Sequence, residues 1–304
     1  MQKKQISFRF ISVLVALLVL NVMIVPSKVS AAESKVNLGS TESYAVLAYS
    51  TITNTGSTVI SGSAGGNIGV STGTSVTGFP PGTVSDGTIH LNDADAIKAQ
   101  SDLVTAYNDA AGRTVTSDLT GKDLGGLTLT SGVYHFSSSA QLTGKVTLDA
   151  QGDPDAAFIF QIGSTLTTAS SSSVSLINGA RYCRVFWQVG TSATLGTSTS
   201  FIGHIFAMES ITATKGATVQ GQLLARTGAV TLDNNTITNG VCAAVAATAT
   251  PAAGTTTGTG TVTPASGSEI TKTGETNMDF IILGFVFLGM SAGLTVYLRR
   301  KWTR

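Results

Sequence analysis

The chain has 304 residues, of which 34 are Gly and only 12% are charged, and its formal net charge is +1. Eight of its 18 basic residues lie before residue 29 or after residue 298, whereas all 17 acidic residues lie between Glu33 and Asp279, so the body of the chain is acidic. This distribution argues against nucleic acid or an anionic membrane surface as its partner, since both require clustered Lys and Arg.

The first 31 residues have the pattern of a secretory signal peptide. Lys3, Lys4 and Arg9 precede the apolar run Ile11–Val25, and Val29-Ser30-Ala31 forms a small-residue cleavage site. The run is short for a retained membrane anchor and ends at Pro26. We therefore expect an exported chain, with one globular domain over residues 34–242.

The segment Leu91–Arg113 is rich in helix formers and predicts one long helix over residues 92–112, with Asn92 or Asp93 as its cap. Its apolar residues are expected to form one stripe, consisting of Ile97, Val104, Tyr107 and Ala111. Such a helix should cover one face of the remaining structure.

The rest of the domain repeats itself with a period of about twenty residues. After Ala157, the segments FIFQIG, VFWQVG, IFAMES and LLARTG open successive units, and Phe158, Phe160, Trp187 and Phe206 within them are expected to be core. An apolar residue followed by Thr comes next, at Leu166-Thr167, Ala193-Thr194, Ile211-Thr212 and Val230-Thr231, with earlier copies at Leu127-Thr128, Val146-Thr147 and Ile52-Thr53. Short strands separated by Gly, Ser and Asn turns at this period predict an all-β solenoid with about three strands per coil.

Several long strings in this domain resemble one known family. They are YAVLAYSTITNTGST (44–58), GFPPGTVSDGTIH (78–90), AYNDAAGR in the helix, DLGGLTLTSGVYHFSSSAQLTGKVTLDAQGDPDAAFIFQIGSTL (123–166), VFWQVGTSATLG and GAVTLDNNTITNG. With them, residues 37–239 resemble the microbial ice-binding (antifreeze) proteins. The resemblance implies a discontinuous right-handed β-solenoid flanked by an α-helix, and adsorption to an ice crystal surface through a flat face lined by Ser and Thr.

Two columns of residues are candidates for that face. The first follows a family pattern of Thr, a small residue, any residue, and then Thr or Asn, and we predict it as the ice-binding site. It consists of Thr55, Thr58, Thr72, Ser75, Thr197, Ser200, Thr218 and Thr236. Lys215 and Asp233 depart from the pattern, which leaves a second column open, the Thr of the repeated dyads. That column consists of Thr147, Thr167, Thr194, Thr212 and Thr231.

The sequence gives little support for a metal site or for catalytic residues. Asp149, Asp153 and Asp155 lie in DAQGDPDA, which is better read as a turn than as a cation site. His90, His135 and His204 are scattered, and paired carboxylates do not recur in register, so we expect neither an enzyme nor a cofactor. A solenoid adhesin that binds a polysaccharide or a host ligand is the alternative function.

Cys183 and Cys242 are the only cysteines. A disulfide suits an exported chain. Coils stacked in strict sequence order would hold the two residues about three rungs apart, beyond the usual Cα separation, whereas the family's coil order is not strictly sequential. The sequence leaves their pairing open.

The C-terminal part of the chain predicts attachment to the cell. Residues 243–269 are a spacer of Thr, Ala, Gly and Pro. Ile270-Thr-Lys-Thr273-Gly274 is similar to the sorting signals that sortases cleave after Thr, although Ile270 and Thr271 replace the usual Leu and Pro. An apolar span over Phe280–Leu298 and a basic tail follow. We expect a protein on the outer face of a Gram-positive bacterium, held by peptidoglycan through a sortase or by a simple membrane anchor.

Overall fold

A computed structural model describes residues 33–63 and 65–242. The predicted leader, the spacer, the sorting motif and the apolar span lie outside these residues. Helix α1 spans Ala94–Gly112, and short 3-10 helices span Gly39–Ser43 and Tyr182–Arg184. The strands in chain order are β1 (Tyr44–Ala48), β2 (Thr51–Thr55), β3 (Val59–Ser61), β4 (Asn67–Val70), β5 (Ser75–Thr77), β6 (Thr83–Val84), β7 (Ile89–Leu91), β8 (Ser117–Asp118), β9 (Thr128–Leu129), β10 (Gly132–Phe136), β11 (Ala140–Leu142), β12 (Lys145–Asp149), β13 (Phe158–Ile162), β14 (Leu166–Thr168), β15 (Ser173–Ile177), β16 (Val185–Val189), β17 (Ala193–Leu195), β18 (Ser200–Ala207), β19 (Ile211–Ala213), β20 (Thr218–Ala225), β21 (Val230–Asp233) and β22 (Thr236–Thr238).

The strands wind round three faces, and equivalent strands of successive coils pair in parallel. The helix-covered face contains β8, β10, β13, β16, the ends of β18 and β20, β1, β4 and β7. The threonine face contains β11, β14, β17, β19, β21, β2 and β5. The third face contains β9, β12, β15, the starts of β18 and β20, β22, β3 and β6. The predicted three-strand solenoid coil is confirmed.

The coils do not stack in chain order. Strands β1, β2 and β3 of the first coil pair with β20, β21 and β22 at the C-terminal end of the domain. Helix α1 explains this order, because it carries the chain from β7 at one end of the stack to β8 at the other. The last coil therefore meets the first in the interior of the stack, which makes the solenoid discontinuous.

Two strands turn the corner from the third face to the helix-covered face without a break, at Gly203 and Gly221. These glycines are paired in register and have φ of 114° and 144°. A Cβ on Gly221 would lie 2.0 Å from the carbonyl oxygen of Gly203. Only glycine allows the neighbouring coils to approach this closely at the bend.

Helix α1 begins after Asp93, whose carboxylate accepts a hydrogen bond from the amide of Ala96 at 2.9 Å. The predicted apolar stripe is right for Tyr107, which is buried, and wrong for its other members, because Ile97 and Val104 are 51% and 36% exposed and Ala111 is also exposed. The side that faces the sheet is instead Ala96, Ala99, Gln100, Leu103, Ala106, Tyr107 and Ala110. Alanine suits this position because a small side chain allows the helix to approach the sheet closely.

Glutamine side chains connect the helix-covered face to the backbone that lies over it. Gln161 donates to the carbonyls of Ala110, Ala111 and Arg113 at 2.8–3.2 Å and so satisfies the C-terminus of α1. Gln222 bonds the carbonyl of Thr41 in the same way, at the 3-10 helix. These glutamine side chains thereby supply hydrogen-bond donors to buried carbonyls that would otherwise have none.

The buried apolar residues form two clusters. One lies inside the coil and includes Phe158, Phe160 and Trp187, and the other lies between the helix-covered face and α1 and includes Phe206. Phe158, Phe160, Trp187 and Phe206 are all fully buried, as predicted. The rings of Phe160 and Trp187 stack with a centroid separation of 3.8 Å and an interplanar angle of 7°. Stacked rings from successive coils pack the interior closely, and this packing holds the strands of the outer faces in place.

Candidate functional site

One unbroken row of side chains runs along the centre of the threonine face. Each member pairs in register with the next, from the end of the stack at β11 to the other end at β5. The row is Gln141, Thr167, Thr194, Thr212, Thr231, Thr53 and Thr77. Parallel strands lie about 4.8 Å apart, so the six threonines form a regular ladder at that repeat.

A second row of small residues, polar except for Ala229, lies beside the first. The Thr165 hydroxyl donates to that of Ser139 at 2.7 Å, and the Ser192 hydroxyl accepts from the amide of Ser210 at 3.3 Å. Farther along, Thr51 pairs with Ser75. Because residues two apart in a strand are about 6.7 Å apart on the same side, the two rows form a rectangular grid.

The residues between the rows point inward and fix the strands to the core. Leu166, Ala193, Ile211, Val230 and Ile52 are each no more than 1% exposed. The row threonines are exposed, except that Thr194 and Thr212 are half-buried. Alternation with buried apolar residues leaves each Thr side chain little freedom, since its branched Cβ already restricts χ1. The threonine face is therefore pre-ordered.

Charge is sparse on this surface. Asp233, at the end of β21, is the one charged residue in the seven described strands of the threonine face. Beyond the end of the row, the backbone of Asp123 forms an isolated β-bridge with Gln141. The Asp123 carboxylate accepts hydrogen bonds from the amides of Gly125 and Thr143. Partial burial raises the pKa of Asp123, but these amides outweigh that effect and hold the pKa below its usual value. The two rows contain no charged side chain, and the exposed Glu209 carboxylate accepts a hydrogen bond from the Ser192 hydroxyl at 3.3 Å beside the second row.

The first predicted column is divided among several places. Ser200, Thr218 and Thr236 form a register row on the third face, whereas Thr55 and Ser75 lie on the threonine face. The remaining exposed members, Thr72 and Thr197, lie in turns. These residues therefore do not form one surface.

The assignment of Thr58 to an exposed surface is wrong. Its side chain is fully buried in the corner between the threonine face and the third face. There the hydroxyl accepts a hydrogen bond from the amide of Asn235 at 3.0 Å. A residue in this position completes the packing of the corner and makes no contact with anything outside the domain.

The second predicted column is largely brought together. Thr167, Thr194, Thr212 and Thr231 are consecutive members of the threonine row. Thr147 lies elsewhere, between Thr128 and Ser175 on the third face. The predicted site also left out Gln141, Thr53 and Thr77. An apolar residue precedes each of the two threonines, so the same dyad pattern identifies both.

The third face is a less regular surface. Its row of Ser200, Thr218 and Thr236 continues through Ser173 to Lys145 on one side and through Val59 to Thr83 on the other. A cationic side chain and an apolar one interrupt the hydroxyl pattern. This face also ends in the turn at Asp149, whose carboxylate accepts bonds from the amide of Gln151 and the side chain of Asn178.

Within residues 33–63 and 65–242, no group of three or more His, Cys, Asp or Glu side chains is arranged to hold a metal ion. Among these same residues, no helix is both long and apolar enough to cross a membrane. The structure joins Cys183 and Cys242 as a disulfide, with their Cα atoms 5.6 Å apart. The strands from β16 to β22 stack in chain order, and the two cysteines meet because residues 239–242 run back past Gln222 and His204 toward Cys183.

Comparison with known proteins places this fold in a family. Residues 46–238 match the ice-binding-like family model. The chain is 57% identical to an ice-binding protein of Nostoc sp. over 203 residues, 66% of this chain and 73% of the relative. A crystal structure of an ice-binding protein from an Antarctic biological consortium is 48% identical, with a TM-score of 0.65, over 69% of this chain and 93% of that one. The ice-binding protein of the Antarctic ascomycete Antarctomyces psychrotrophicus is 43% identical, with a TM-score of 0.64, over 67% and 98%. This chain belongs to the ice-binding-like family.

Proposed function

We propose that this protein binds ice, and that it does so through the threonine face. The observation that carries this proposal is the unbroken register row from Thr167 to Thr77, since ice is a ligand with a periodic surface. A ladder of identical side chains at a fixed repeat can match such a surface at many points at once. The third face has a shorter run of hydroxyls, between Lys145 and Val59.

The mechanism follows from the chemistry of Thr on a rigid support. Each exposed Thr presents a hydroxyl, which exchanges hydrogen bonds with water, and a methyl group, around which water forms a cage. Because the side chains are already ordered by the buried residues between them, binding costs little side-chain entropy. The face holds a layer of water in a fixed arrangement, and that layer joins the ice lattice.

A binding function without catalysis is part of the proposal. The aromatic openers, which could have formed a sugar-binding stripe, are buried in the core. The uncharged grid of small residues offers neither a cleft nor an acid–base pair to a substrate. We therefore infer that ice, and not a polysaccharide, is the ligand.

Display on the cell surface is the second part of the proposal. The leader over residues 1–31, the motif at Thr273-Gly274 and the apolar span over Phe280–Leu298 support export followed by attachment through the C-terminus. A protein fixed to one cell acts on the ice next to that cell. Adhesion to ice or local control of ice growth and recrystallisation suits it better than protection of bulk fluid.

A substitution in the middle of the row tests the site. Thr212→Tyr places a bulky ring on the grid, and we expect the variant to stop shaping single ice crystals and to lose most of its thermal hysteresis. Thr218→Tyr, on the third face, is the matched control and should keep both activities. The reverse result would reject the threonine face, and loss in neither variant would reject both faces.

The mode of attachment has a separate test. If a sortase processes the chain, cell-wall fractions should contain a form that ends at Thr273 and is joined to peptidoglycan. Recovery of the intact C-terminus in the membrane fraction would show a simple membrane anchor instead. Mass spectrometry of the C-terminal peptide distinguishes the two.

A further inference from the structure

The C-terminal strand of the domain leaves from the interior of the stack. β22 pairs on one side with β20, through Thr218 and Thr236, and on the other side with β3, through Val59 and Thr236. In a solenoid that stacks in chain order, the last strand has only one neighbour and can separate from the edge. Here, removing β22 requires breaking two ladders.

The residues after β22, 239–242, form a strap that crosses from the third face to the helix side. The side chain of Asn239 donates to the carbonyls of Glu42, Gly65 and Tyr44 at 2.8, 3.0 and 3.3 Å. The Tyr182 hydroxyl donates to the carbonyl of Gly240. The strap is thereby attached to the first coil and to the 3-10 helix that precedes β16.

The strap ends at a covalent link. Cys242 is exposed, whereas its partner Cys183 is 6% exposed and lies in the 3-10 helix that leads into β16. The chain continues beyond Cys242 to residue 304. A pull from that end therefore reaches the disulfide before it reaches β22.

We propose that the Cys183–Cys242 link is a load-bearing anchorage, which transfers tension from the C-terminus into the middle of the stack at β16. The covalent route from the C-terminus into the stack then bypasses the strap and β22. This inference rests on the proposed tether, because only a protein held at its C-terminus while its threonine face adheres to ice is under tension. Without the link, the same tension would act on the strap and on β22, a strand of three residues.

A merely stabilising disulfide would behave differently from an anchorage. Closing a loop in the unfolded chain stabilises the domain in the same way for any pulling direction. An anchorage resists only those forces that pass through Cys242. The direction of pulling therefore separates the two roles.

The test is single-molecule force spectroscopy on the whole exported chain, with one handle at its N-terminus and the other at its C-terminus. The Cys183→Ser/Cys242→Ser variant should rupture at lower force than the parent. When the C-terminal handle is moved to the exposed turn at Ser198 and the other handle stays at the N-terminus, the parent and the double variant should rupture at the same force. An equal loss of force in both geometries, or none in either, would overturn the proposal.

The released length gives a second measurement. The link encloses a sequence separation of 59, so the intact parent should extend by about 200 Å less than the variant, at about 3.4 Å per residue. Tyr182→Phe keeps the link and is the matched control, with the length of the parent. If the double variant fails to fold, reductant added to the ruptured parent should produce the missing step, and its absence would contradict the proposal.

Ice-crystal shaping, measured on protein that is not under tension, separates a failure of this proposal from a failure of the proposed ice-binding function. The double variant should shape ice as the parent does, since neither cysteine lies on the threonine face. Loss of shaping in the parent itself would reject the proposed ice-binding function and leave the mechanical result intact.

Discussion

Thr53 and Thr231 lie directly opposite each other on β2 and β21, although one belongs to the first coil of the domain and the other to the last. Their pairing carries the threonine row across the point where chain order breaks. The discontinuity of the solenoid therefore does not interrupt the surface. Residues from both ends of the sequence contribute to one grid.

This continuity predicts that Thr53 is as important as the threonines of the C-terminal coils. Thr53→Tyr should reduce thermal hysteresis as severely as Thr212→Tyr, because a ring at either position breaks the same row. Thr238→Tyr, on strand β22 of the third face, should have little effect on thermal hysteresis. Hysteresis measured on the three variants checks this, and an active Thr53→Tyr protein would limit the site to the coils after β13.

The sequence could predict much of this architecture, because the information lies in short patterns. The alternation of apolar residues and Thr indicates which side chains point outward. It does not indicate which face they belong to, since Val146-Thr147 and Leu166-Thr167 have the same pattern. Only the winding of the coil sends Thr147 to the third face and Thr167 to the threonine face. The alternation of side chains depends only on neighbouring residues, whereas the face on which a strand lies depends on how the whole coil winds.

Thr58 and the helix show a second limit. At a corner, the chain reverses the inward and outward positions of a strand, so a Thr in a turn can be fully buried. On the helix, a hydrophobicity pattern ranks Ile97 and Val104 above Ala99 and Ala106. Packing against a flat sheet favours the smaller residues, and that preference arises from the tertiary contact.

The capping role of Gln161 predicts a stability effect. Gln161→Leu keeps the size of the side chain but leaves carbonyls at the end of α1 without donors, and Gln161 itself is 6% exposed. We expect a loss of about 1–3 kcal/mol in the free energy of unfolding. Gln220→Leu, on the exposed side of β20, should change it by less than about 0.5 kcal/mol. Denaturant titration of both variants measures the difference, and equal losses would contradict the capping role.

Asp102 predicts a dependence of stability on pH. Lys98, through a hydrogen bond at 2.8 Å, and Ser40, through its hydroxyl and its amide, hold the pKa of this carboxylate at about 2. A pKa lowered by folding contributes stability above the unfolded value near 4, and that contribution is lost as the pH falls toward 2. The parent should therefore be more stable than Asp102→Asn at pH 6, with the difference shrinking between pH 4 and pH 2.

Thermal unfolding at several pH values checks this expectation. Asp86→Asn is the matched control, because Asp86 is exposed, lies outside the helix and has a φ of 61° that Asn also adopts, and it should change stability by less than about 0.5 kcal/mol. A constant difference between the parent and Asp102→Asn down to pH 2 would show that the charge of Asp102 does not stabilise the N-terminal segment.

The small-residue side of α1 predicts an asymmetry between its two surfaces. Ala106 is fully buried against the sheet, so Ala106→Leu must displace the helix or strain its neighbours, at a cost of about 1–3 kcal/mol. Val104→Ala instead removes two methyl groups, and it should cost less than about 1 kcal/mol, because Val104 is 36% exposed and its truncation leaves no enclosed cavity. Denaturant titration orders the two variants, and a larger loss for Val104→Ala would mean that the sheet contacts the opposite side of the helix. The threonine face lies on another side of the coil, so both variants should still shape ice.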